Sequence, residues 1–362
     1  MGFGDFHGNA TAVRRLREMI ARDRLPHAII LAGPEGSGKY TLAQMVAKAL
    51  NCLERPSGDL PDFCGQCSNC TRIAQADALG ERFAEAVETR ENLREADKRD
   101  TRIFVQTHPE VLIIPPDPPQ MLVKVDQVRH LTAGIYYRPA IGTRKVFIFP
   151  AAAFVKEAAN ALLKVLEEPP EYATIFLLAE NSSALLPTIR SRCVTLHLAP
   201  LAVEEIEQDL KSRADLAPVQ RKLVARLSGG AVGRARSFDL PSYLAARQNA
   251  LLLLTTAVES AEHSALYRAT ESYRAGAEGK SRTDALLFAL HLLLQDLLFL
   301  QGGTPELVRN TDLEAALRKM AHAVSFEWLE TAAARLGEVQ SGMRRNLLRS
   351  LALDAFSASL ES

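Results

Sequence analysis

Five short, mostly apolar runs punctuate the first half of the chain: Ala28 to Ala32, Val111 to Ile114, Lys145 to Phe149, Thr174 to Ala179 and Val194 to Leu198. Runs of this length predict strands buried in a sheet. Between them the apolar spacing becomes helical. Leu42, Met45, Val46, Ala49, Leu50 and Leu53 recur on one face, Asp126 is placed to cap a helix reaching about Tyr137, and Val155 to Glu168 reads as another helix. Pro169-Pro170 stops that last one. Strands alternating with helices predict a parallel sheet covered on both faces. Residues 76–104 break the pattern, being dense in Glu, Arg, Asp and Ala, and read as a solvated helical insertion.

Beyond Leu201 the strand pattern ends. Residues 203–240 suggest a small helical segment closing on Gly229-Gly230-Ala231-Val232-Gly233-Arg234, and 242–362 are helical by periodicity with a break at Gly302-Gly303. The expected organisation is therefore an α/β domain over 1–200, a small helical domain over 201–241 and an all-helical domain over 242–362. No solenoid-type repeat is present.

Composition narrows the function classes. The chain has 362 residues, 47% of them hydrophobic, and 43 basic against 43 acidic side chains, so no global field draws it onto nucleic acid. Met1 to Asn9 carries no apolar signal core. The most apolar run, Ala285 to Leu300, contains His291, Gln295 and Asp296 and is expected to be a buried helix rather than a membrane span. A cytoplasmic protein with no membrane partner is the expectation.

The candidate chemistry starts at Gly33-Pro34-Glu35-Gly36-Ser37-Gly38-Lys39-Tyr40, a phosphate-binding loop up to its last position. Backbone amides of such a turn, opening a helix, cradle phosphate oxygens, and Lys39 would reach the terminal phosphates. The final position should offer a Ser or Thr hydroxyl to magnesium. Tyr40 stands there, and its ring is expected to crowd the cradle. Thr41 follows, one position round the helix. The second NTPase element should be an apolar strand ending in Asp, often followed by Glu. The best candidate, Lys145 to Phe149, continues into Pro150-Ala151-Ala152-Ala153 with no acid. With two magnesium-linked positions missing, intrinsic ATP hydrolysis is not expected, and binding of ATP with magnesium is doubtful.

Four of the five cysteines, Cys52, Cys64, Cys67 and Cys70, fall within nineteen residues. Two x-x spacings plus an upstream thiolate supply a closed tetrahedral zinc site of structural type. Cys193 stands apart. Beside it, Arg192 in Thr188-Ile189-Arg190-Ser191-Arg192-Cys193 is either a solvated charge or an arginine finger for a neighbour's phosphoryl group, in which case it should make few internal contacts.

Together these residues resemble the bacterial clamp-loader ATPases of the AAA+ class, and within it the delta-prime subunits of DNA polymerase III. The resemblance covers most of the chain and is strongest over 26–200. It rests on His27-Ala28 before the loop, the four-cysteine module, His108-Pro109-Glu110, and Val125-Asp126-Gln127-Val128-Arg129. Its most specific parts are the run from Ala159-Asn160-Ala161-Leu162-Leu163-Lys164 to Glu167-Glu168-Pro169-Pro170, and Ser191-Arg192-Cys193. It implies an AAA+ domain with a five-stranded parallel sheet, a helical lid and a helical collar. It also implies assembly with motor subunits of tau/gamma type and a delta subunit, which use ATP to open a sliding clamp and place it on primed DNA. In that family Arg192 matches the finger acting on an adjacent motor subunit. Arg234 matches the lid arginine that senses nucleotide, and Asn181 or a near neighbour falls at the polar position after the fourth strand. Motor subunits should carry Lys-Ser or Lys-Thr in the loop and Asp-Glu after the third strand. Tyr40 and Pro150-Ala151 fit the non-hydrolysing member instead. The insertion at 76–104 is longer than the family pattern. The alternative readings are an ATP-hydrolysing motor subunit and a zinc-dependent DNA-binding module, against which the neutral charge weighs.

Overall fold

The computed structural model describes residues 2–259, 276–343 and 356, so the parts of the expected collar at 260–275 and most of 344–362 lie outside the described residues. The five expected strands form: β1 (Ala28–Ala32), β3 (Val111–Ile113), β4 (Lys145–Phe149), β5 (Ala173–Ala179) and β6 (Val194–His197). They are parallel throughout, in the order β3-β4-β5-β1-β6, which is the parallel α/β sheet expected. A sixth strand, β2 (Val105–His108), extends it by pairing antiparallel with β3. Gln106 and Thr107 interrupt its apolar character, because an edge strand buries only part of its length; this is why the apolar pattern misses it.

Alternation along β1 divides the core. Ile29 and Leu31 face Leu16 of α1 (Ala10–Ala21), Leu42 and Met45 of α2 (Lys39–Asn51) and Ile73 of α3 (Ser68–Ala74). Ala28, Ile30 and Ala32 face Leu131 of α6 (Val125–Ile135) and Leu162 and Val165 of α7 (Lys156–Glu167). Helix α6 is capped by Lys124, whose backbone N–H donates to Gln127 Oε1 at 2.9 Å. Asp126 is instead a first-turn residue, pairing with Arg102 at 3.1 Å and Arg129 at 3.2 Å. It gains there from the helix dipole rather than from a cap bond.

The charged insertion forms α4 (Leu79–Glu91) and α5 (Glu95–Asp100). Helix α4 is largely solvent-facing, but Leu79 packs against the core and Arg90 is buried and paired at 3.0 Å with the buried carboxylate of Asp117. A buried ion pair and the apolar contact of Leu79 thus tie the helix to the sheet domain.

Contacts divide the chain into two units, Met1–Ala202 with Gly230–Arg234, and Val203–Gly229 with Ala235–Ser362. The second is helical, with Leu240–Glu259, Gly276–Gln301, Glu314–Ala323 and Phe326–Met343 as its longer elements. The window Ser281–Gln301 is long and apolar enough to cross a membrane. Within it, however, Leu286, Leu290, Leu293 and Leu297 are completely buried in the unit, and so is Asp296. The Asp296 carboxylate accepts from the Arg309 amide (2.9 Å) and from the Asn310 amide (2.9 Å) and side chain (2.8 Å). The helix ends at Gly302-Gly303, Gly303 taking the left-handed conformation at φ +73°.

Asp296→Ala leaves those donors buried without an acceptor and is expected to cost about 3 kcal/mol. Urea unfolding followed by circular dichroism reads this directly; an unchanged midpoint would contradict the assignment.

Candidate functional site

The phosphate loop connects β1 to α2 as its sequence requires. Gly36 (φ +78°) and Gly38 (φ +87°) occupy left-handed conformations, and Gly38 caps α2, whose first residue is Lys39. The helix N-terminus therefore opens onto the loop, the arrangement that favours anions. Lys39 Nζ donates to the carbonyls of Gly33 and Pro34, both at 2.7 Å. Burial lowers the Lys39 pKa; the Glu180 and Glu35 carboxylates oppose that shift, and Arg234 adds to it.

Arg234 comes to the same place. Its guanidinium lies 3.6 Å from Glu35, and the Gly233 amide donates to the Gly36 carbonyl at 2.8 Å. A Cβ on Gly36 would sit 2.6 Å from the Arg234 backbone nitrogen, so the two backbones meet only because Gly36 has no side chain. Asn181, by contrast, accepts from the Ser183 amide at 2.9 Å and caps its own turn. The acid beside Lys39 after β5 is Glu180.

Tyr40 does not simply crowd the cradle. Its hydroxyl donates to the Ala76 carbonyl at 2.6 Å and accepts from Gln44 at 2.7 Å, and its ring packs against the core between α2 and α3. Burial raises its pKa further, so the phenol stays protonated. An oxygen committed in this way is not a magnesium ligand. Thr41 is exposed on α2. At the end of β4, Phe149 leads into Pro150 and Ala151, and the Ala152 amide donates to the Leu178 carbonyl at 2.9 Å. The residues that directly follow β4, Pro150 to Ala153, include no carboxylate.

The cysteines converge. Cys52 caps the end of α2, Cys67 caps the start of α3, and Cys70 lies one turn further on. With Cys64, all four sulfurs lie within 4.8 Å of one another. Cys52 Sγ is 3.6 Å from Cys64 Sγ and 4.0 Å from Cys67 Sγ. Four thiolates about 2.3 Å from a zinc ion stand about 3.8 Å apart, so the donor set fits a metal such as zinc. The Cys64 and Cys67 amides donate to Cys52 Sγ (3.3 Å) and Cys64 Sγ (3.2 Å), the outer bonds such ligands use. Burial pushes the Cys52 and Cys70 thiols up. For Cys67 burial acts the same way, but hydrogen bonds from the Cys70 and Leu53 amides and the neighbouring thiols outweigh it and bring the thiol down to about 6. A divalent cation is what allows four thiolates to share one buried pocket.

Arg192 lies on the surface just before β6. Contrary to expectation it is engaged internally: Nη2 donates to Glu167 Oε1 at 2.6 Å, and Nη1 to the Thr188 carbonyl at 2.9 Å.

A family model described as DNA polymerase III, delta subunit, matches residues 8–202, more than half of the chain. The chain belongs to this family. Over 178 residues it is 34% identical to the delta' subunit of DNA polymerase III of Pseudomonas aeruginosa, covering 49% of this chain and 44% of that protein. It is 26% identical over 310 residues to the delta' subunit of Bacillus subtilis, covering 85% and 83%. The tau/gamma subunit of Haemophilus influenzae is 32% identical over 210 residues, covering 58% of this chain and 25% of that protein. The chain thus spans about a quarter of the length of the tau/gamma relative.

Two acids, one beside Lys39 and one beside Arg192, escape motif reading. Glu180 does carry a signal, since an apolar strand followed by an acid is the pattern sought, but it follows β5 rather than β4. Glu167 shows none as a partner of Arg192, because only the fold brings α7 and the segment before β6 together.

Cys64→Ser is expected to lower bound zinc from about one equivalent to well below half, and to lower the melting temperature. Elemental analysis of purified wild-type protein that found no stoichiometric metal would contradict the assignment.

Proposed function

We propose that this chain is a non-hydrolysing, delta-prime-type subunit of the DNA polymerase III clamp loader that lends Arg192 to the nucleotide site of a neighbouring subunit. The observation that carries the reading is the fate of Tyr40. The position that should bind magnesium is occupied by a hydroxyl already bonded to Ala76 and Gln44. The acid-free end of β4 supports it independently, since neither the metal nor the attacking water finds its carboxylate there.

Strand polarity supports the action of Arg192 in trans. Ile29 pairs with Val194 and Ala32 with His197 in parallel register. The phosphate loop leaves the carboxyl end of β1, whereas Arg192 precedes the amino end of β6. At about 3.3 Å per residue the two are separated by roughly 15–20 Å along the strands, beyond the reach of an arginine side chain. A finger there serves another molecule's phosphates, stabilising charge as it develops on the transferring phosphoryl group. In this reading 201–241 is the lid and 242–362 the collar, and the partners are tau/gamma-type motor subunits and a delta subunit. The sliding clamp and primed DNA are reached through the assembly, in the cytoplasm. Zinc at Cys52, Cys64, Cys67 and Cys70 is structural, because four thiolates leave no open coordination position. Any nucleotide at Gly33, Gly36, Gly38, Lys39, Thr41 and Arg234 is held without turnover. The tau/gamma likeness and the intact Lys39 favour a second reading, that of a motor subunit.

Arg192→Ala in the reconstituted complex is expected to lower ATPase at the site it serves by about tenfold or more. The melting temperature of the isolated chain should change little, since a half-exposed pair contributes at most about 1 kcal/mol. Unchanged ATPase in the complex would overturn the proposal.

A further inference from the structure

We infer that Glu167 is an intramolecular clasp on Arg192, an anion that holds the guanidinium on this chain and competes with the phosphates of the neighbouring site. The inference rests on the reading of Arg192 as a finger in trans. Glu167 is the last residue of α7, and Pro169-Pro170 prevents the helix from continuing past Glu168. Arg192 lies in the turn between α8 (Pro187–Arg190) and β6. Their side chains meet at 2.6 Å while remaining half-exposed, at 35% for Arg192 and 50% for Glu167. Two further acceptors, the Thr188 carbonyl at 2.9 Å and the Ser191 hydroxyl at 3.4 Å, hold Nη1. These belong to the finger's own turn and can stay in place when the arginine turns outward.

Only Glu167 carries a charge in this set, and its sign is that of a phosphate. Carboxylate and phosphoryl oxygens want the same two-pronged face of the guanidinium. A triphosphate carries several negative charges against one on Glu167, so the incoming anion wins, but only after displacing the carboxylate. An arginine clasped in this way is partly neutralised while it faces solvent and is released when a phosphate is presented at close range. Glu168, also exposed and one residue further on, makes no ion pair among the described residues and is the natural control.

Glu167 acts through Arg192 and is a positioning residue. The test is the ATPase of the reconstituted complex containing Glu167→Gln, Glu168→Gln, Arg192→Ala, or Glu167→Gln with Arg192→Ala. Removing the charge while keeping the shape should raise kcat/KM for ATP by about two- to fivefold, the range of a half-exposed pair. Glu168→Gln should leave it unchanged. In the Arg192→Ala background Glu167→Gln should add nothing, because the two residues form one unit. A merely structural Glu167 would instead lower activity or leave it unchanged. No gain with Glu167→Gln, or an equal gain with Glu168→Gln, while Arg192→Ala still reduces ATPase, would overturn the clasp and leave the finger standing. No effect of Arg192→Ala would overturn both.

Discussion

The parallel pairing of β1 with β5 on one side and β6 on the other constrains the rest of this molecule. It fixes the carboxyl ends of the strands as the place where the phosphate loop, Pro150 after β4 and Glu180 after β5 gather. It fixes the amino ends as the place of Glu167 and Arg192, which precede β5 and β6. Neither end can borrow from the other across the length of a strand. A chain with this register offers two separate surfaces, one built like a nucleotide site and one carrying the half-exposed Arg192.

The two surfaces have diverged in chemistry. On the first, the loop keeps its geometry: left-handed Gly36 and Gly38, a helix opening at Lys39, and an arginine from the Gly230–Arg234 segment. Where such a loop offers a Ser or Thr hydroxyl to magnesium, Tyr40 stands instead. Tyr40 spends its hydroxyl on Ala76 and so braces α2 against the end of α3, close to the four-cysteine module. A position that would hold a metal has become part of the packing between two helices. On the second surface, Arg192 keeps a half-exposed charge paired with Glu167.

What was legible in the sequence is what depends on neighbours along the chain. The buried parallel strands, the glycine loop and the cysteine spacing are local patterns, and each forms where its residues place it. What was not legible depends on contacts between distant segments. The Tyr40 bond to Ala76 spans 36 residues and the Arg192 pair with Glu167 spans 25. Strand β2 was hidden because Gln106 and Thr107 face less buried surroundings at the sheet edge. Asp126 looked like a cap because acids favour helix starts, but the first turn rewards an acid as well as the cap position does. The sign of the Tyr40 effect could not be read either: a tyrosine there either blocks the loop or turns away, and only the position of Ala76 decides.

The central claim is that the phosphate loop of this chain does not turn over nucleotide. Steady-state ATP hydrolysis by the isolated, metal-replete full chain with magnesium, measured beside Lys39→Ala, addresses it most directly. The account predicts the same background rate for both proteins. Hydrolysis by the wild type that disappears in Lys39→Ala would contradict it and move the chain among the motor subunits.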